Sequence, residues 1–167
     1  MVAVECSSGS AHPVSQPSSA RTHAAATPST VATAASPGAA ALASALKAGG
    51  LPVTHLIVYN AVTDPNHLLG RQGGYTSKVA WQDRRAIAAG AGSPASDRGG
   101  TEFGGGIEVF PTVATAVQRL ALLKSFQPPL GDGYDYRDGT AILRLSNYLT
   151  PAQAHAYLAA FMAAEPH

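Results

Sequence analysis

"GIEVFPTVATAVQRLALLKSF", residues 106–126, decides how the rest of this chain is read. In its first five residues Ile107 and Val109 share one face and Glu108 points to the other, the period of a half-buried strand. Pro111 then suits the first turn of a helix. Val113, Ala116, Val117, Leu120 and Leu123 recur at helical spacing, with Gln118 and Arg119 off the stripe. Lys124 near the end complements the helix dipole. A strand that runs straight into an amphipathic helix implies a sheet with helix packed on it.

The same logic extends outward in both directions. Downstream, "TAILRLS" (140–146) alternates Ala141, Leu143 and Leu145 with Ile142 and Arg144 and reads as a strand. Strand 106–110, helix 111–126 and this strand are expected to form one right-handed crossover. "TPAQAHAYLAAFMAA" (150–164) opens with a capping box, Thr150 as N-cap and Gln153 three residues on, and its expected buried side is Tyr157, Leu158, Phe161 and Met162. Upstream, "SKVAWQD" (77–83) places Val79 and Trp81 on one face. "THLIVYNAV" (54–62) is apolar on both alternating faces, which predicts an interior strand. "AAALASALKAGG" (39–50) predicts a short helix over about 39–48, ended by Gly49-Gly50. The stretch "RRAIAAGAGSPASDRGGTEFGG" (84–105) is too long and too rich in Gly, Ala and Ser for a hairpin turn. Its start, Arg84 to Ala89, is expected to extend a strand or form a helical turn. The expected fold is α+β, a two-layer sandwich of about four mostly antiparallel strands with two long helices on one face.

Composition sets the organisation. The chain has 167 residues, 46% apolar but only 13% charged, and a net charge of +1. That balance offers no electrostatic case for nucleic acid or an anionic membrane. No stretch reaches the roughly 18 apolar residues of a membrane-spanning helix. Between Cys6 and Lys47 the only charged residue is Arg21. Ser, Thr, Ala and Pro cannot bury enough apolar surface to offset ordering entropy of about 1–2 kcal/mol per residue. Residues 1–38 are therefore expected to be a disordered leader or tether, and 39–167 a single domain. Cys6 is the only cysteine, so no intrachain disulfide forms. "MVAVECSSGSAHP" sets that cysteine before a small, chargeless run, as in a bacterial lipoprotein just after its lipidated cysteine; the other reading is a free tail thiol.

Candidate sites concentrate in "TDPNHLLGRQGGYTSKVAW" (63–81). Asp64 is expected to cap a short turn begun by Pro65, with Leu68 and Leu69 anchoring it and Gly70 ending it in a left-handed conformation. "RQGGYTSK" departs from a phosphate-binding P-loop: no glycine precedes Lys78, the order is Ser-Lys, and a strand follows. A looser anion site remains, with amides at Gly73-Gly74 and charge from Arg71 and Lys78. The structural alternative is a sharp turn with Arg71 paired to Asp64 or Glu108. His67 lies in the same turn and is the one histidine of six placed to serve as a base. No histidine pair has zinc spacing, and "GDGYDYRDG", with Asp132, Asp135 and Asp138, lacks the spacing and closing glutamate of a calcium loop, so it reads as a turn before the strand. No metal or cofactor is expected. A Gly-x-Ser-x-Gly elbow is absent, and nothing fixes a carboxylate pair from Glu102 and Glu108.

"TDPNHLLGRQGGYTSKVAW", "GGGIEVF" and "YDYRDGTAILRLSNYLTPAQAHAYLAAF" together resemble a group of bacterial secreted proteins and lipoproteins common in actinomycetes, over roughly residues 53–163. The matching positions are Thr63, Asp64, Pro65, Asn66, Leu68, Leu69, Gly70, Arg71, Tyr75, Ser77 and Lys78. The resemblance implies an envelope location, secreted or lipid-anchored at Cys6, and no particular activity.

The expectation is thus a cell-envelope binding module without catalytic residues, using Asp64, Asn66, His67, Arg71, Tyr75 and Lys78. Its partner is a small anion, a cell-wall fragment or a protein, and it meets a membrane only peripherally, through a lipidated Cys6. The alternatives are an envelope hydrolase using His67 and Asp64, or a purely structural interaction protein with an apolar patch around Tyr134, Tyr136 and Tyr148.

Overall fold

In the computed structural model, which describes residues 37–92, 100–126 and 133–164, the strand–helix unit at 104–125 is the centre of the fold. The strand is β3 (Gly104–Val109) and the helix α3 (Val113–Ser125); they are preceded by α1 (Ala39–Ala48), β1 (Thr54–Val58), β2 (Ser77–Gln82) and α2 (Arg84–Ala88). After them come β4 (Gly133–Asp138), β5 (Ala141–Ser146) and α4 (Pro151–Ala164). The five strands form one sheet in the order β1-β2-β3-β5-β4, with every neighbouring pair antiparallel. The expected α+β class holds. The leader, Cys6 and residues 93–99 lie outside the described residues.

Three features differ from the sequence reading. "GDGYDYRDG" is not a turn from Gly133 onward but the edge strand β4, hairpinned to β5 with Asp138 opposite Ala141. The crossover from β3 through α3 therefore lands on β4, and β5 returns to fill the gap between them. "THLIVYNAV" is not interior: β1 is the opposite edge, and of its five residues only Ile57 is even partly buried. Apolarity on both faces did not distinguish a buried strand from an uncovered one.

The two long helices do not share a face. Val79, Trp81, Ile107, Leu143 and Leu145 pack with Leu42 and Leu46 of α1 and Ala154, Tyr157 and Phe161 of α4. On the other face Ile142 packs with Ala116 and Leu123 of α3, beside Tyr75, Phe110 and Leu120. Alternation along the strands divides the two cores: Ile107 and Leu143 point to α1 and α4, Glu108 and Ile142 to α3. Helix α3 is turned relative to its apolar stripe. Val113 and Val117 are 47% and 46% exposed, while Arg119 faces the sheet. A buried Glu108 explains the rotation, because an unpaired internal carboxylate costs more than two half-exposed valines.

Local chemistry sets the ends of the elements. Pro111 lies ahead of α3 rather than in its first turn, and Thr112 caps the helix, its side chain accepting from Thr115 N–H at 3.2 Å. At α4 the predicted capping box forms: Gln153 N–H donates to Thr150 Oγ1 at 3.3 Å, and Thr150 N–H to Gln153 Oε1 at 2.9 Å. Of the predicted buried side of α4, Tyr157 and Phe161 are buried, Leu158 is partly so, and Met162 is 47% exposed. In β3, Gly105 faces Trp81 across the ladder, and a Cβ there would stand 2.6 Å from the indole ring. The glycine is what leaves room for the indole over β3.

Candidate functional site

The 64–78 stretch folds as a turn around one carboxylate. Asp64 is fully buried, and its side chain accepts N–H bonds from Asn66, Leu68 and Leu69 at 3.3, 2.8 and 3.1 Å. The Tyr75 hydroxyl sits 2.6 Å from both carboxylate oxygens, and Lys78 Nζ lies 2.9 Å from Oδ1. Lys78 also lies 4.8 Å from the Tyr59 ring centroid, and 3.3 Å from the Tyr75 oxygen. Tyr75 is held in place by an edge-on contact with Phe110, ring centroids 5.8 Å apart. Burial alone would raise the Asp64 pKa. The bonds from Tyr75, Lys78 and Leu68 N–H outweigh it and hold the carboxyl well below the ordinary carboxylate range. Burial first, then the bond to Asp64, pushes the Tyr75 hydroxyl far above its usual value, so it stays a donor.

Backbone geometry completes the turn. Gly70 adopts the expected left-handed conformation, at φ 76°, and Gly73 repeats it. His67 is also left-handed, at φ 52°, a strained conformation for a residue with a Cβ. Gly74 is required sterically: a Cβ there would stand 1.9 Å from Leu68 O.

The six residues expected to meet a ligand therefore fall into two groups. Asp64, Tyr75 and Lys78 are buried and bonded to one another. Tyr75 is not open to a ligand, and Lys78 is not a charge donor to solvent. Asn66, His67 and Arg71 are exposed, and the Asn66 side chain also reaches inward to the Tyr75 hydroxyl. Arg71 pairs with neither carboxylate suggested for it, since Lys78 takes Asp64 while Arg119 and Arg144 take Glu108. A hydrolase built on His67 and Asp64 would need both on one surface; Asp64 faces inward and His67 faces water.

Sequence reasoning missed a second charged cluster beside the first. Glu108, opposite Lys78 in the β2–β3 ladder, accepts from Arg119 Nε at 2.9 Å and Nη2 at 3.1 Å, and lies 3.6 Å from Arg144 Nη1. Arg144 Nε reaches Asp135 at 3.3 Å. Burial holds the Asp135 carboxyl above its ordinary range, and Arg144 offsets only part of that. Three cations thus face three carboxylates across one covered sheet face. The available signal was the alternation itself, which put Lys78, Glu108 and Arg144 on a face that a helix had to cover. A third buried acid, Asp83, caps α2 through Arg85 N–H, chelates the Arg85 guanidinium and accepts from the Tyr157 hydroxyl at 2.9 Å.

Two further expectations resolve structurally. Asp135 and Asp138 point to opposite sides of β4 and Asp132 is outside the described residues, so the calcium-like pattern does not converge. Tyr134 and Tyr136 are half-buried, stacked 6.4 Å apart, and Tyr134 donates to Leu149 O, which leaves Tyr148 as the exposed ring of the three. Comparison with protein-family models, curated proteins and solved structures returns no match.

Proposed function

We propose that this chain is a binding module of the bacterial cell envelope whose contact surface is the outer side of the 64–74 turn. Its ligand is a small anion or a cell-wall fragment bearing a carboxylate or phosphate. Arg71 supplies the charge, and Asn66 and His67 supply hydrogen bonds that orient the group. One observation carries this reading: the buried Asp64–Tyr75–Lys78 clamp holds the turn stiffly while those three polar side chains stay exposed on it. A preorganised loop on a rigid scaffold loses less entropy on binding than a loose one. The envelope address rests on the sequence around Cys6 and on the resemblance described above.

Thermal unfolding of the full chain with inorganic phosphate and with N-acetylmuramic acid tests the site. A ligand that binds raises Tm by several degrees at about 100-fold excess over Kd. Arg71→Ala abolishes that rise, whereas Asn147→Ala, exposed elsewhere, keeps it. A rise retained in full by Arg71→Ala removes the turn from consideration. No rise with either compound retires the anionic class. Intact mass of the chain expressed in a bacterial host tests the address, because a diacylglyceryl adduct on Cys6 is expected.

A further inference from the structure

On the face that carries α1 and α4, two rows of side chains cross the sheet. One runs Val58, Val79, Ile107, Leu143, Tyr136, and the other from Trp81 through Gly105 and Leu145 to Tyr134. Their middles are buried, but at the β1 end Val58 is 61% and Leu56 39% exposed. The ladder also stops there. Ile57 pairs with Ala80, and Tyr59 N–H donates to Lys78 O at 3.1 Å, so Ile57 and Tyr59 turn their backbone groups toward β2. Val58, between them, turns its N–H and C=O away from the sheet. Sheet edges are ordinarily guarded by lysine, proline or inward charge. Here no Lys, Arg, Asp or Glu occurs anywhere in residues 48–63, Pro52 lies ahead of β1 rather than in it, and the one irregularity within the strand is a bulge at left-handed His55, ahead of the Ile57–Val58 pairing.

We propose that β1 is a dimerisation edge, occupied by β1 of a second copy of this chain. The two strands run antiparallel about a two-fold axis perpendicular to the sheet and join two five-stranded sheets into one. Self-complementarity argues for a second copy: Leu56 and Val58 stand symmetrically about Ile57, with apolar side chains on one face. A two-fold axis sets the strip against itself, so any charge on it would meet its own like; a neutral run is free of that repulsion. Centring the axis on Ile57 sets Leu56 of each copy against Val58 of the other. Because such an axis keeps α1 and α4 of both copies on the same side, both apolar rows continue across the junction. This inference does not depend on the ligand site at Arg71.

Sedimentation equilibrium of the full chain from about 1 µM to about 500 µM tests it, a range that brackets a weak dimer of one short strand pair. The weight-average mass is expected to rise toward twice 17.0 kDa. Val58→Lys and Leu56→Lys weaken the dimer by at least about tenfold. Val113→Lys, on an exposed position of α3, does not. Amide exchange on the wild-type chain provides a readout free of folding effects: protection of the Val58 N–H rises with protein concentration. A monomer across the whole range overturns the proposal. So does a dimer that persists in both β1 lysine variants, or Val58 exchange independent of concentration.

Discussion

Lys78 Nζ lies 2.9 Å from Asp64 Oδ1, with the lysine side chain 8% exposed and the aspartate fully buried. The pair joins strand β2 to a turn fourteen residues earlier in the chain and closes that turn over the α3 core. An internal ion pair is a poor source of net stability, yet breaking one side of it strands a charge. Lys78→Met should therefore cost about 3–5 kcal/mol. The double variant Asp64→Asn/Lys78→Met should recover part of that loss, the signature of a direct coupling. Urea unfolding of the four species in the cycle measures it; additive losses would show that the pair is not coupled.

The pH dependence has a definite sign. The folded pKa of Asp64 lies below its unfolded value, so its contribution is complete above about pH 4 and is lost as pH falls below that, toward the folded value. Asp135, held high by burial, acts in the opposite sense between its unfolded and its folded pKa. Unfolding free energy measured from pH 7 down to pH 2 should fall more steeply in the wild type than in Asp64→Asn. Parallel profiles would contradict the assignment.

Tyr157 donates to Asp83 Oδ2 at 2.9 Å and so ties α4 to the end of β2 across 74 residues of sequence. Tyr157→Phe removes a hydrogen bond to a charged acceptor and should cost about 1.5–3 kcal/mol. Near-UV circular dichroism should change as well, since the ring lies 5.8 Å from Trp81. An unchanged Tm would mean that water replaces the hydroxyl at no cost.

Gly105→Ala places a methyl group 2.6 Å from the Trp81 ring and 2.8 Å from Arg144 O. Backbone on one side prevents simple accommodation, so a loss of about 1–3 kcal/mol is expected. Blue- or red-shifted Trp81 fluorescence should accompany it; a wild-type spectrum with wild-type Tm would show that the strand yields freely.

Thr150→Ala deletes the side-chain half of the capping box at α4 and should lower stability by about 1 kcal/mol. Thr150→Ser, which keeps the acceptor, should restore most of it in the same denaturant titration.

Local chemistry was legible in the chain itself. The capping box at Thr150, the carboxylate-centred turn at Asp64, the left-handed Gly70 and the helices at 39–48 and 113–125 all follow from short-range bonding and periodicity, which depend on neighbours in sequence. What covers each face was decided only by tertiary structure. β1 is apolar on both alternating faces yet stands uncovered at an edge, because strand order depends on where β3 and β5 pair. β4 was hidden because the Asp and Gly of its run read as turn residues although Tyr134 and Tyr136 favour a strand, and pairing with β5 is what decides between the two. Lys78 read as a surface cation became an internal one for the same reason: its charge is tolerable inside only because folding brings Asp64 and two tyrosines to it, a meeting that no local pattern encodes.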